Sequence, residues 1–353
     1  MNVDYLVVGQ GIAGTMLSYS LMQAGASVLV IDEYKENSSS RVAAGVVNPV
    51  SGRRFTVAWL YDEIYPIALR TYREMEGLLG LPVYKERDLW TVLPTEQLKT
   101  AFFDRTTGLD YMRRPSDAAI AHYDQWLDQP FGAAIIKGGT VLLQQLLPIW
   151  REYLKKHNSL LEERFLPSRL QAKSTSVTYG DIHARAMIFC DGAQTTHNPW
   201  FSSIPFLLNK GEVLTVRVPG FETADIVKRS ISMVPIPGQN DIYWVGATFA
   251  WDYPDENPTA EKRAFLENGL RQLLKVPYEV LDHQAAVRPS GTDRRPMLGM
   301  HPEMPSLGLF NGLGTKGSSL APAMAAQMTA HLLRNAPLWQ ETDIKRFFNR
   351  YKG

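Results

Sequence analysis

One cysteine in 353 residues leaves nothing to pair. Cys190 alone forms no intrachain disulfide and no multi-cysteine metal site, and its place in Ala186-Met-Ile-Phe-Cys190 reads as a buried structural thiol. An excess of one charge is also missing. Lys and Arg number 37 against 36 Asp and Glu, so no global field draws in nucleic acid or an anionic membrane surface. The basic pairs Arg53-Arg54, Arg113-Arg114 and Arg294-Arg295 read as solvated surface. No apolar run approaches the roughly 20 residues of a membrane span. The first strand starts so early that no signal peptide is expected, which points to the cytoplasm. His122, His157, His183, His197, His283, His301 and His331 show no ligand spacing, so no metal is expected. There is no internal repeat and no low-complexity tract. At 45% hydrophobic and 21% charged residues the composition is that of an ordinary globular protein, with length enough for two domains.

What is present is concentrated in the first thirty-odd residues. An apolar strand, Tyr5 to Val8, meets G-x-G-x-x-G at Gly9, Gly11 and Gly14. A helical run to Gln23, a turn at Gly25, a second apolar strand from Val28 to Ile31 and Asp32 follow. Gly9 suits the tight turn, Gly11 a close approach of backbone to pyrophosphate, and Gly14 the packing of helix on strand. The helix N-terminus offers N–H groups and positive dipole to phosphate. Asp32 is placed to accept from a ribose diol, with Glu33 its competitor one position on. The set predicts a dinucleotide site.

Further on, the small-residue segment Val42 to Pro49 suggests backbone close to a ligand. The spacing of Leu60, Ile64, Ile67, Ala68 and Tyr72 predicts a helix over 60–80. Ala134 to Thr140 reads as a short strand broken at Gly138-Gly139, followed by an amphipathic helix from Val141 to Lys156. Tyr179-Gly180-Asp181 reads as a hairpin turn, and Ala186 to Cys190 as a strand returning to the first sheet. Strands are expected at 212–218 and 243–249, a helix over 260–274, and a last helix from Ser319 to Arg334 with Ser318 or Ser319 as its cap. The predicted fold is therefore α/β: a Rossmann-like cofactor-binding domain, discontinuous over 1–59, 134–204 and 288–353. An α+β substrate domain on a mixed antiparallel sheet is inserted at 60–133 and 205–287.

Six blocks in order carry a resemblance. They are G-Q-G-I-A-G with Asp32, S-S-R-V-A-A-G-V-V-N-P (Ser39 to Pro49), K-G-E-V-L (Lys210 to Leu214), V-G-A-T (Val245 to Thr248), V-R-P-S-G-T-D-R-R-P-M-L-G (Val287 to Gly299) and G-L-G-T-K-G-S-S-L-A-P-A (Gly312 to Ala323). Over essentially the whole chain they resemble the D-amino-acid oxidase superfamily of FAD-dependent amine oxidoreductases, in its glycine oxidase-like branch. The resemblance implies FAD rather than NAD, with the flavin ring between the two domains. It also implies cofactor contacts at Gly9, Gly11, Ile12, Ala13, Gly14, Asp32, Glu33, Ser39, Arg41, Ala44, Gly45, Val46, Val47 and Asn48. Phe165 stands where the family binds adenine through the backbone, and Asp191 and Gly192 follow the strand that ends beside the cofactor. Gly312, Leu313, Gly314, Thr315, Lys316 and Gly317 stand at the flavin edge. The last block also resembles the FAD domain of a bifunctional bacterial enzyme that removes a carboxymethyl group from a tRNA wobble uridine, where a basic residue stands as Lys316 does. That likeness is partial, since no methyltransferase half is present.

Oxidation of an amino acid at its C–N bond needs a cation for the carboxylate and a neutral amine. Arg288 suits the first by bidentate geometry, and the resemblance makes it the carboxylate anchor; an interdomain ion-pair arginine is the alternative reading. Lys316 is a second catalytic candidate, with a solvent-facing lysine as the alternative. Ser232 stands where glycine oxidases place a pocket tyrosine, and Phe249 is a bulky residue after V-G-A-T. Both would meet substrate, and both suggest a substrate other than glycine. No cysteine lies in the segments expected to form the pocket, which argues against a cysteinyl-flavin link and leaves a histidyl link open. The expectation is an FAD-dependent oxidoreductase, oxidase or dehydrogenase, acting on a small amino acid or secondary amine. A tRNA-modification oxidoreductase and a non-catalytic flavin module are the alternatives. No membrane partner is expected, and the sequence sets no oligomeric state.

Overall fold

The computed structural model describes every residue except 53, 107, 108 and 349–353, so Arg53 of the first basic pair lies outside the described residues. The chain opens with strand β1 (Tyr5–Val8), helix α1 (Ile12–Gln23) and strand β2 (Val28–Ile31). A short strand β3 (Val46–Val47), helix α2 (Tyr61–Leu79), strand β4 (Tyr84–Val92) and strand β5 (Ala133–Val141) follow. Helix α3 (Leu143–Lys156) leads to β6 (Leu160–Leu161) and, past three short antiparallel strands between 170 and 184, to β7 (Ala186–Phe189). Next come β8 (Phe206–Arg217), β9 (Ile226–Lys228), β10 (Ser232–Pro235), β11 (Ile242–Gly246), helix α4 (Ala260–Leu273) and β12 (Glu279–Gly291). Strands β13 (Met297–Met300) and β14 (Leu307–Asn311) and helix α5 (Gly317–Arg334) bring the chain back.

Two sheets result. The first has the order β13-β14-β7-β1-β2-β6, parallel throughout except for the β13 edge. Its central strands are buried on both faces, which is why they read as unbroken apolar runs. Helix α1 is buried nearly all round and packs against the sheet and α5. The second sheet has the order β12-β8-β11-β10-β9-β4-β5-β3, antiparallel apart from the β9–β4 pair. This is the expected mixed α/β architecture.

Several boundaries differ from expectation. Strand β5 runs straight through Gly138 and Gly139. A Cβ at Gly138 would stand 2.5 Å from both Val47 O and Leu89 Cδ1, and one at Gly139 would overlap the Tyr84 hydroxyl. The glycines admit close neighbours instead of breaking the strand. Residues 134–141 therefore lie in the larger sheet. The last helix starts at Gly317, so Ser318 and Ser319 sit in its first turn and cap nothing; Ser319 Oγ donates back to Lys316 O at 3.1 Å. Among the described residues no helix is long and apolar enough to cross a membrane.

Candidate active site

A cavity of about 470 Å³ opens between the two sheets, running from the first glycine turn to Arg288. At its first end the turn is held by three close approaches. Gly9 has φ +98° and a Cβ there would stand 2.6 Å from Cys190 O; one at Gly14 would overlap Gly9 O, which fixes α1 against the turn. Gly11 leaves 3.1 Å to Ser40 Oγ, and that hydroxyl accepts from Ile12 N at 3.0 Å. Gly9, Gly11, Ile12 and Ala13 line the cavity, while Gly14 lies behind it.

Asp32 and Glu33 both border the cavity, Glu33 on the exposed side. The Asp32 carboxylate accepts from Gln10 N at 2.8 Å, Tyr34 N at 2.9 Å and Arg151 Nη1 at 2.6 Å. Arg151, 4% exposed, also donates to Asp32 O at 3.1 Å and to Glu162 at 3.0 Å. It thereby ties α3 to the end of β2. Ser39 and Arg41 line the cavity from a short helical turn, and Arg41 lies 4.0 Å over the Tyr34 ring and 3.2 Å from Gln10 Oε1. Ala44, Gly45 and Val46 line it as well. Val47 is buried behind them, and Asn48 Oδ1 accepts from Val50 N at 3.1 Å to shape the following turn.

Phe165 lines the cavity, stacked on Tyr179 with centroids 5.3 Å apart. Asp191 and Gly192 line it beyond β7. Asp191 accepts from Thr195 Oγ1 and, at 3.3 Å, from Asn198 Nδ2, yet burial pushes its carboxyl up to about 6. Cys190 corrects the expectation that no cysteine reaches the pocket: it lines the cavity beneath the glycine turn. Burial and the Asp191 charge push its thiol well up, so it stays protonated there.

Arg288 stands at the other end. Its Nη1 donates to Asn209 Oδ1 at 2.8 Å and to Thr248 O at 3.3 Å, and its guanidinium lies 5.1 Å over the Phe249 ring. Phe249 is 59% exposed and forms a wall of the cavity. A Cβ at Gly211 would overlap the guanidinium, so only glycine in β8 leaves room for it. Burial lowers Arg288 to about 10, which still leaves a cation at neutral pH, and among the described residues it forms no salt bridge. Two contacts join segments from opposite sides of the cavity. Trp244 Nε1 donates to Val42 O at 2.8 Å, and Lys35 pairs with Glu256 at 2.5 Å.

The turn before α5 supplies the remaining border. Gly312 and Gly314 have φ of +73° and +54°, and Leu313, Gly314, Thr315 and Gly317 line the cavity. Gly312 lies behind, against Met297 and Arg295 O. Lys316 and Ser232 are half-buried and lie off the cavity surface. Sequence reasoning missed Gln10, Ser40, Arg151, Asn209, Gly211 and Trp244. Gly211 carried a signal, being a glycine inside an otherwise strand-like block; Arg151 carried none, sitting in an ordinary amphipathic helix.

The residues fit a dinucleotide: a glycine turn under a helix N-terminus, an acid at the end of β2, and a cavity continuing to a second glycine turn. A family model described as FAD dependent oxidoreductase (DAO) matches residues 4–332. The chain belongs to this family. As a DAO member it is an FAD-dependent oxidoreductase, and the FAD expected from the sequence is its cofactor. Its fold is shared with solved structures. Glycine oxidase from Geobacillus kaustophilus aligns with TM-score 0.77 at 21% identity, over 98% of each chain. Glycine oxidase from Bacillus cereus ATCC 14579 gives 0.76 at 18%, over 95% of this chain and 96% of that one. L-proline dehydrogenase from P. horikoshii gives 0.75 at 15%, over 99% and 98%.

Proposed function

We propose that this DAO member oxidises the C–N bond of a small amino acid or secondary amine, with Arg288 holding the substrate carboxylate. The observation that carries this reading is a half-buried guanidinium at the cavity wall whose acceptors, Asn209 Oδ1 and Thr248 O, are both neutral. Such a cation is strongly stabilised by an anion, and its free edge suits a carboxylate. Glycine and L-proline, named in two of the similar proteins, each carry a carboxylate beside the amine carbon.

Gly9, Gly11 and the N-terminus of α1 would hold the pyrophosphate, Asp32 the ribose, and the turn Leu313–Gly317 the flavin edge. When bound, FAD supplies the acceptor for the hydride leaving the amine carbon, and water then hydrolyses the resulting imine. The chain's own part is positioning. Arg288 fixes one end of the substrate and Phe249 walls it. In domain terms, the cofactor unit comprises 1–45, 142–204 and 292–353. The substrate unit comprises the rest, with β3, β5 and β12 assigned by their sheet.

Arg288→Ala should retain FAD while the KM for carboxylate-bearing amines rises about 100-fold, the scale of lost charge-assisted hydrogen bonds. An unchanged KM removes Arg288 from the site. The substrate class is read by anaerobic bleaching of the flavin with glycine, sarcosine, D-alanine, D-proline and a carboxymethylaminomethyl nucleoside. Bleaching by the nucleoside alone would move the assignment to tRNA modification.

A further inference from the structure

Asn209 and Arg288 stand directly opposite each other across β8 and β12. Opposed residues of an antiparallel pair share a face, so both side chains leave the sheet on the side of Gly211 and Val213, which line the cavity. Alternation sends Lys210 and Glu212 to the other side. There the Glu212 carboxylate meets Lys210 Nζ at 3.3 Å and His283 Nε2 at 3.0 Å, and it accepts from Thr259 N at 2.7 Å and Thr259 Oγ1 at 3.0 Å. Glu212 is the only acid in β8. The strand therefore turns its one carboxylate away from Arg288 and sets a neutral amide opposite the guanidinium.

The hydrogen bonds of the guanidinium to Asn209 Oδ1 and Thr248 O both leave from Nη1. Nε and Nη2, whose parallel N–H groups match the two oxygens of a carboxylate, have no acceptor among the described residues. Asn209 is 1% exposed and does not border the cavity, so it reaches a substrate only through Arg288. Its amide has one workable orientation, because the reverse would set N–H against N–H. Nδ2 is then buried without a hydrogen-bond partner among the described residues, which is unfavourable for stability. A carboxylate in this place would bind the guanidinium more strongly, and an apolar residue would leave no orphan donor. The amide does neither, but it accepts from Arg288 without bringing a negative charge.

We infer that Asn209 is a positioning residue that sets the charge selectivity of the site: it fixes Arg288 through Nη1 by a neutral bond, leaving the other edge and the positive charge to an anionic group of the substrate. A resident carboxylate would compete with the substrate's for the same cation. The inference rests on the assignment of Arg288 as the carboxylate anchor.

The test uses the FAD-loaded protein at neutral pH and fixed ionic strength. Butyrate and its uncharged isostere butyramide serve as unreactive probes, read by perturbation of the flavin absorbance. Asn209→Asp should weaken butyrate about tenfold or more and leave butyramide unchanged; a purely structural role for Asn209 would move the two together. Asn209→Leu keeps the volume and adds no charge, so it should weaken butyrate severalfold yet still prefer it to butyramide. Butyrate binding in Asn209→Asp equal to that of the unaltered protein overturns the inference, as does an equal loss for both probes. If Asn209→Asp fails to retain FAD, Asn209→Leu decides, and unchanged butyrate affinity there overturns it. In each of those cases the Arg288 reading stands if Arg288→Met abolishes butyrate binding. If butyrate leaves the flavin of the unaltered protein unperturbed, both assignments fall.

Discussion

At the scale of single residues, the site depends on a hydrogen atom where any other residue carries a side chain. Gly211 lies under the Arg288 guanidinium, and a methyl group there would occupy the same space. Gly211→Ala should displace the guanidinium from Asn209 Oδ1 and Thr248 O and raise the KM for carboxylate substrates at least tenfold. The FAD spectrum should stay unchanged, since the glycine turn is remote. Steady-state kinetics with the bound-flavin ratio as control would decide it; a wild-type KM would mean Arg288 has another resting place. Asp191 gives a pH dependence. Burial holds its carboxyl up to about 6, so the folded chain binds this proton more tightly than the unfolded one. Stability is therefore lost as pH rises from the ordinary aspartate range through about 6, and levels off above. The loss is at most about 3 kcal/mol. Asp191→Asn removes the titration, so its melting temperature relative to wild type should climb between pH 4 and 7 and then run parallel. A constant offset across that range would contradict the assignment.

At the scale of elements, β5 shows how a local signal misleads. Two adjacent glycines read as a break because glycine weakens strands on entropic grounds. Here the cross-strand neighbours decide. Val47 O and Leu89 Cδ1 fill the space over Gly138, and the Tyr84 hydroxyl fills that over Gly139. Gly138→Val should force β3 away from β5 and destabilise the chain by roughly 1–3 kcal/mol, the usual cost of overpacking. Denaturant midpoints would read this, with the slope unchanged if the fold survives. Elements with a strong period were legible: α2 keeps Ile64, Ala68, Tyr72 and Met75 buried at helical spacing, close to the span expected. The start of α5 was not, because its first turn grows directly out of the 3-10 turn Gly314–Lys316 with no capping side chain to mark it.

At the scale of the whole molecule, the chain crosses between the two sheets several times, and side chains from distant segments hold the crossings. Arg151 is the clearest instance. From α3 it reaches Asp32, Gln10 and Glu162 while itself nearly inaccessible. Arg151→Met leaves Asp32 without its cationic partner at the end of the cavity proposed to hold the ribose. FAD should then dissociate on gel filtration under conditions that wild type withstands, with a lowered melting temperature. Retention of stoichiometric FAD would show that Gln10 N and Tyr34 N suffice to orient the carboxylate.

The sequence by itself determined the nucleotide half of this protein. A strand, a glycine turn, a helix and an acid follow one another within about thirty residues, and each role depends on local backbone geometry that neighbours in the chain impose. It also marked Arg288 and the Gly312 to Gly317 turn through the family resemblance. Only the tertiary structure decided what surrounds them. Gly211, Asn209 and Phe249 meet Arg288 because of strand register and sheet order. Those pairings join residues tens of positions apart and leave no spacing in the sequence to read.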